Sequence, residues 1–439
     1  MIKKQQHGAA LLLFVLFFTF ATGVMLLAFV SSIFSDLYDF SQLVRSKQAY
    51  LIADSAVEDV VYRNVMGTFS VDASETVTLN NVTGTAVTVY DSPNDEYTIT
   101  GTAQMGSTER SSEAVLTIGA GSAFNYGLQA GNGGILLSNN SDIFGNIYSN
   151  GLVVGAGSAE VYGDIVSAGP TGRIQTITAT GSVYANTIDR VDADGDAHYN
   201  VALGTNNIGG TIYTPATNPP TAELPISTTT VQEWKDAITN YGTTILSTDP
   251  LCSSGTYEID TSITIGYLKV ECNLDIRDTG GGVTITLDGP IWVEGNLSFT
   301  QGPVIQVDSG LGRQSVQFLV DNPADRLTSS QIEVRNSTDF FGSGDDRSYI
   351  MLMSFNESAS SSGSEFAIDI GQSANGDVLV YASAGLVDIG QNIDLREVTG
   401  YRIEVSNGSS ITYESGLANL LFTSGPGGAY VLDDWQQIE

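Results

Sequence analysis

GNIYSN at residues 145–150, GDIVSA at 163–168 and GSVYAN at 181–186 are three versions of one unit, each displaced by 18 residues, and GTIYT at 210–214 follows after 29. A repeat at fixed period means stacked units, each of which buries its apolar side chains against its neighbours. A short alternating strand with a turn glycine in every period fits one coil of a β-solenoid, with apolar side chains lining a shared axis. A meander with chance similarity is the competing reading. Beyond the repeats, Pro215, Pro219, Pro220 and Pro225 mark a linker. Val231, Trp234, Ile238 and Tyr241 then share one face of a short helix, with Thr229 or Thr230 as cap and Gly242 as stop. Such a helix could cap the first solenoid, because an open coil end is a strand edge. From Thr256 short strands resume, punctuated by Gly289, Gly295, Asn375-Gly376, Gly390 and Asn407-Gly408, and predict a second, less regular solenoid.

Upstream, residues 70–118 alternate polar and apolar, as in TVTLNNVTGTAVTVY at 76–90, and predict a small antiparallel sheet. Before that, residues 5–35 contain no Asp, Glu, Lys or Arg, and AALLLFVLFFTFATGVMLLAFVSSIF at 9–34 is almost wholly apolar. At about 1.5 Å per residue this run crosses a hydrocarbon layer of about 30 Å, and it is too long for the apolar core of a cleavable secretory signal. Lys3 and Lys4 place the short N-terminus on the cytoplasmic side and the bulk outside. Apolar residues at helical spacing (Leu37, Phe40, Val44, Leu51, Ala53, Ala56, Val57, Val60, Val61) and no proline before Pro93 extend the helix to about Met66, with Gly67 as its stop. The outer half of that helix should carry the small sheet.

The charge follows this division. The chain has 439 residues, 17 Lys plus Arg against 49 Asp plus Glu, and a net charge of −32. Residues 1–69 hold five cations and five acids and are neutral, so the other 12 cations and 44 acids put the whole imbalance after them. That excludes a nucleic-acid binder, which needs clustered cations. With 42% hydrophobic residues the acidity does not signal disorder; it keeps a glycine-rich, strand-rich exterior soluble.

The leader Lys3-Lys4-Gln5-Gln6-His7-Gly8, followed by an apolar helix that runs into an amphipathic one, resembles the class III signal of type IV prepilins and pseudopilins. The stretch QAYLIADSAVE at 48–58 resembles the segment after the span in X-type minor pilins. The resemblance covers about 66 residues. It implies cleavage between Gly8 and Ala9 by a prepilin peptidase, passage through the inner membrane, and packing of the helix among other pilin subunits. It departs from major pilins at the fifth mature position, Leu13 instead of Glu, and at Ala9 instead of Phe or Met, which favours a minor or tip subunit. A plain uncleaved anchor is the alternative.

Cys252 and Cys272 are the only cysteines; an even count outside the membrane favours a disulfide, worth about 3 kcal/mol on the chain-entropy model. Asp189, Asp192, Asp194 and Asp196 place hard oxygen ligands at alternate positions around a glycine and suit Ca²⁺. The EF-hand pattern is not met, since Ala197 stands where its glycine would fall, and a solvated acidic turn competes. Asp339, Asp345 and Asp346 make a lesser case. Outside the leader, His198 is the one histidine, no Gly-x-Ser-x-Gly elbow exists, and nucleophilic catalysis has little support. Trp435 reads as a core or capping aromatic.

The sequence thus predicts a mainly β chain with a long N-terminal helix: leader 1–8, transmembrane and pilin-core helix 9–66, small antiparallel sheet 67–120, first solenoid 121–216, linker and capping helix 217–249, and second solenoid 250–439. The expected function is non-enzymatic: a minor subunit of a type IV filament that displays an acidic solenoid to a glycan or surface. A tethered polysaccharide lyase or hydrolase on a β-helix and an envelope protein are the alternatives.

Overall fold

The computed structural model describes residues 6–65, 74–79, 82–91, 96–118, 124–335, 337–371, 374–414, 417, 420–422 and 430–438. Leader residues 1–5 lie outside that set. The chain divides into two compact units, residues 1–118 with 430–439, and residues 119–429.

In the first unit, α1 (Gln6–Val65) is one continuous helix, as a run without proline permits. Strands β1 (Ser74–Leu79), β2 (Val82–Asp91), β3 (Glu96–Met105) and β4 (Thr108–Ile118) form an antiparallel meander. A fifth strand, the terminal one (Tyr430–Ile438), pairs antiparallel with β4. Trp435 therefore belongs to this sheet, a correction to the expectation that residues 250–439 are all solenoid. The sheet covers the second half of α1, where Ala56, Val57 and Val60 are buried against Ala86, Ile99, Ala114 and Leu116. Small residues on both sides let backbone approach backbone. A Cβ on Gly101 would stand 2.5 Å from the Ala53 carbonyl oxygen, and one on Gly84 would stand 2.8 Å from that of Ile52. Asp54 joins the layers, accepting hydrogen bonds from Ser112 Oγ at 2.9 Å and Trp435 Nε1 at 2.8 Å.

The second unit is a three-sided parallel solenoid. In the repeat region the first side carries Ile147–Ser149, Ile165–Ser167 and Val183–Ala185, stacked in register. Residue 165 lies between 147 and 183, so the 18-residue period is the length of a coil. The gap of 29 before the fourth copy holds two shorter coils: Val183 pairs with Ala197 and Ala197 with Ile212. The residue after each turn glycine ties coil to coil. Asn146 Oδ1 accepts from Asp164 N, Asp164 Oδ1 from Ser182 N, Ser182 Oγ from Asp196 N, and Asp196 Oδ1 from Thr211 N, at 2.7 to 3.0 Å. Alternation puts Ile, Val and Leu inward, where they form one continuous core.

The expected two solenoids are one stack, a second correction. The chain enters it partway along, at Leu128–Leu137, and coils to Ile212–Tyr213 at one end. It then returns along the outside to begin again at Thr243–Ile245 and coils back. The last of these later coils meets the first of the earlier ones by strand pairing: Val398 with Leu128, Ile403 with Ile135, Ile411 with Ile143. The proline-rich segment is a strap down one side. Asn218 Oδ1 accepts from Asn200, Pro219 O from Gly169 N, Ala222 O from Asn150, Glu223 O from Gln129, and Ile226 O from Tyr381.

The strap ends in α2 (Thr228–Tyr241), capped by Ser227 instead of Thr229 or Thr230, with its hydroxyl accepting from Thr230 N at 3.1 Å. Val231, Trp234 and Ile238 are buried as expected. They pack against Leu319, Met351, Met353 and Leu379, on the flank of the stack and not over the end of the first repeats. Tyr241 is 81% exposed, because the helix stops at Gly242 where the chain turns into its coil. Lys235 takes the buried place instead. Cys252 and Cys272 form the expected disulfide and clip the coil that begins at Thr243 to the next.

The solenoid is an insertion between β4 and the terminal strand, and the residues that flank it, Ile118 and Tyr430, pair with each other. Joining Ile118 to Tyr430 through a short Gly-Ser turn, with residues 119–429 removed, should leave a folded helix-and-sheet unit in detergent. Amide exchange protecting β3 and β4 checks this; an unprotected sheet would show that the insertion is required for the pairing.

Candidate functional site

Two surfaces can carry function, one in each unit. In the first, the apolar half of α1 is bare: Leu11, Phe14, Phe17, Leu27, Phe29 and Phe34 are each exposed. The helix is long and apolar enough to cross a membrane, with mean hydropathy 2.6 in its best window. Its bare apolar surface does not end where a bilayer would. About 20 residues span the hydrocarbon, yet Leu37, Tyr38, Phe40, Leu43 and Val44 remain exposed further on, although the sheet reaches the helix there on another side, with Thr108 donating to Gln42 at 3.2 Å and Arg110 to Ser46 at 2.8 Å. Gly8 and Ala9 lie in the first turns of α1.

In the solenoid, the four aspartates do not converge. Asp189 is buried on the second side, where it pairs with Arg173 at 2.5 Å and Arg190 at 2.9 Å. Asp192 is on the third side and accepts from Asn207 at 2.8 Å, while Asp196 caps Thr211 N on the glycine corner. Asp194 follows the end of that third-side strand, its backbone N–H donating to Ala179 O at 3.0 Å; Asp189, Asp192 and Asp196 thus serve as coil-to-coil ties on different parts of the coil and do not form a Ca²⁺ loop. Among the described residues no group of three or more His, Cys, Asp or Glu side chains could hold a metal ion. His198 is stacked between Tyr184 and Tyr213, with ring centroids 4.6 and 4.3 Å away.

Asp345 and Asp346 line a cleft of about 670 Å³ with Asp377, Glu414 and Phe341. Asp345 Oδ1 accepts from Arg347 N at 3.0 Å. Asp339 lies on the third side, paired in register with Val304 and Asn375. Along the second side Glu333, Asp369, Asp388 and Glu404 stack in successive coils. Arg335 bridges the first two of these. Burial and the neighbouring Asp369 and Glu404 push the Asp388 carboxyl up to about 6. Charge on this unit is thus laid out in lines, which the linear sequence hides because neighbours along a line are a coil apart.

No protein-family model matches the chain, and no curated protein matches it. Among solved structures, it is similar to the competence-associated pilin ComZ from Thermus thermophilus, at 13% identity and a TM-score of 0.25, over 90% of this chain and 97% of that one. At that score the likeness carries no functional argument.

Proposed function

We propose that this chain is a minor subunit of a type IV pilus or pseudopilus, held by α1 and displaying its acidic solenoid for adhesion. The observation that supports this most is the bare apolar face from Leu37 to Val44, which continues past the length a bilayer covers on the side of α1 that the sheet leaves open. Exposed apolar surface of that kind calls for a partner, and a bundle of like helices buries it, as the resemblance of residues 3–58 to prepilins implies. On this reading the N-terminus is cytoplasmic, a prepilin peptidase removes residues 1–8, and the mature chain passes from the inner membrane into the filament. The charge of the mature chain would be −34, since the leader takes Lys3 and Lys4 with it. Its surface role is binding, not catalysis.

Filament-associated protein is expected to begin at Ala9, and Gly8→Ala should block leader removal, leaving a species heavier by the eight-residue leader on intact mass. A filament fraction that lacks the protein, or normal processing of Gly8→Ala, would overturn the assignment.

A further inference from the structure

The junction where the two runs of coils meet also opens a cleft. On three successive coils the corner between the first and second sides departs from regular pairing: register shifts occur between Ala382 and Leu386, and between Gly400 and Arg402. The third coil turns the corner on Gly131, Gly133 and Gly134. A Cβ on Gly131 would meet the Tyr401 ring at 3.4 Å, and one on Gly133 would stand 2.9 Å from its Cδ1 and 2.7 Å from its carbonyl oxygen. The glycines thus let the ring lie against backbone. The opposite wall is the strap, fixed by Asn150, whose amide donates to Ala222 O at 2.7 Å and accepts from Ala222 N at 3.0 Å. Between the walls lies about 600 Å³, within the range that holds small ligands.

We propose that this cleft binds a neutral saccharide, which deepens the adhesive reading above and rests on it for its biological sense. Tyr401 supplies an aromatic surface against which the C–H face of a pyranose can lie. Asn132, Ser383 and Glu223 surround it with donors and acceptors suited to paired hydroxyls. None of these three side chains hydrogen-bonds another described residue, whereas Tyr381 and Asn150 are occupied in holding the strap. No Lys or Arg lines the cleft, and a chain of net charge −32 repels anions. Sialylated and uronic-acid sugars are therefore the wrong class, and an apolar ligand would leave the Asn132 amide and the Glu223 carboxylate unpaired.

The test uses the full chain in detergent micelles, so it does not depend on filament assembly. Glucose-, galactose- and N-acetylglucosamine-terminated oligosaccharides are titrated beside sialylated and glucuronic-acid-terminated ones. The expected result is saturable binding of at least one neutral series, none of the acidic ones, and a tenfold or greater loss in Tyr401→Ala. Asn132→Arg, which fills the cleft from an exposed position without removing a packed ring, should also abolish binding, while Tyr241→Ala on α2 leaves it unchanged. Failure of all neutral series at millimolar concentration, preference for the acidic ones, or unchanged binding in Asn132→Arg overturns the proposal. Filament association of the same variants, measured separately, would stay intact if only the saccharide site is wrong.

Discussion

Asp321→Ala is expected to destabilise the solenoid by about 3–5 kcal/mol, the cost of breaking a buried ion pair from one side. Asp321 is fully buried and Lys235, on α2, nearly so. The lysine ammonium contacts Asp321 Oδ2 and lies 4.9 Å from the Trp292 ring centroid and 5.3 Å from that of Phe355. Arg326 grips the same carboxylate with two bonds, at 2.7 and 2.9 Å, and reaches Glu357 at 3.0 Å. Truncating the aspartate leaves the ammonium among aromatic rings with no counter-charge, and α2 must lift to hydrate it. Lys235→Met should cost far less, because Arg326 still neutralises Asp321 and the methionine stem fills the same space. Urea unfolding gives the energies, and amide exchange in α2 identifies where the loss falls; a loss under 1 kcal/mol in Asp321→Ala would show that water reaches the lysine. The pH dependence follows from the same contacts. Burial pushes the Asp321 carboxyl up, but the hydrogen bonds and charges of Arg326 and Lys235 outweigh it and hold it below the usual range. A depressed folded value contributes stability above the unfolded value of about 3.9 that is lost as pH falls through the folded one. The difference between the native chain and Asp321→Ala should therefore shrink only below about pH 4.

The buried lysine shows what helical spacing alone does not specify. A helix face defined by Val231, Trp234 and Ile238 extends by spacing alone to Tyr241, yet Lys235 fills the buried position, and only the acid and rings on the flank of the stack make that tolerable. The long helix, expected over 9–66 and found at Gln6–Val65, and the 18-residue register are legible because each is a local period. The continuity of the stack is not. Alternation says which side chains point inward, but Val398 finding Leu128 across most of the insertion depends on where the strap delivers the chain. The coil around Ala197 is hidden in the sequence because it is short and its inward residue is alanine, so neither period nor hydrophobicity announces it. The place of the terminal strand is hidden for a related reason: pairing to β4 across the whole inserted domain leaves no trace in spacing. In the candidate cleft the glycines at 131, 133 and 134 were visible as residues, but their purpose is set by a tyrosine about 270 positions away.

Gly101→Val should separate the small sheet from α1. The native glycine has no special backbone requirement; what it supplies is absence. Even the first carbon of a side chain would stand 2.5 Å from both the Ala53 carbonyl oxygen and Val57 Cγ2, and the carbonyl belongs to a helix backbone that cannot rotate away. Overpacking of a core costs about 1–3 kcal/mol when side chains can adjust; here only a rigid shift of sheet from helix relieves it, so a loss of about 3 kcal/mol or more is expected. The consequence spreads because Ile99 and Ala103, on the same strand, share the packing with Ala56, Val57 and Ala53. Trp435 reports the event. Its indole N–H donates to Asp54 on α1, and in the chain with residues 119–429 excised it is the single tryptophan, the other two being Trp234 and Trp292. Gly101→Val in that chain should shift its emission to the red and expose the sheet to protease. Gly23→Ala, where an added Cβ meets nothing within 4 Å, should leave both unchanged, so the contrast between the two glycines separates close packing from mere loss of glycine.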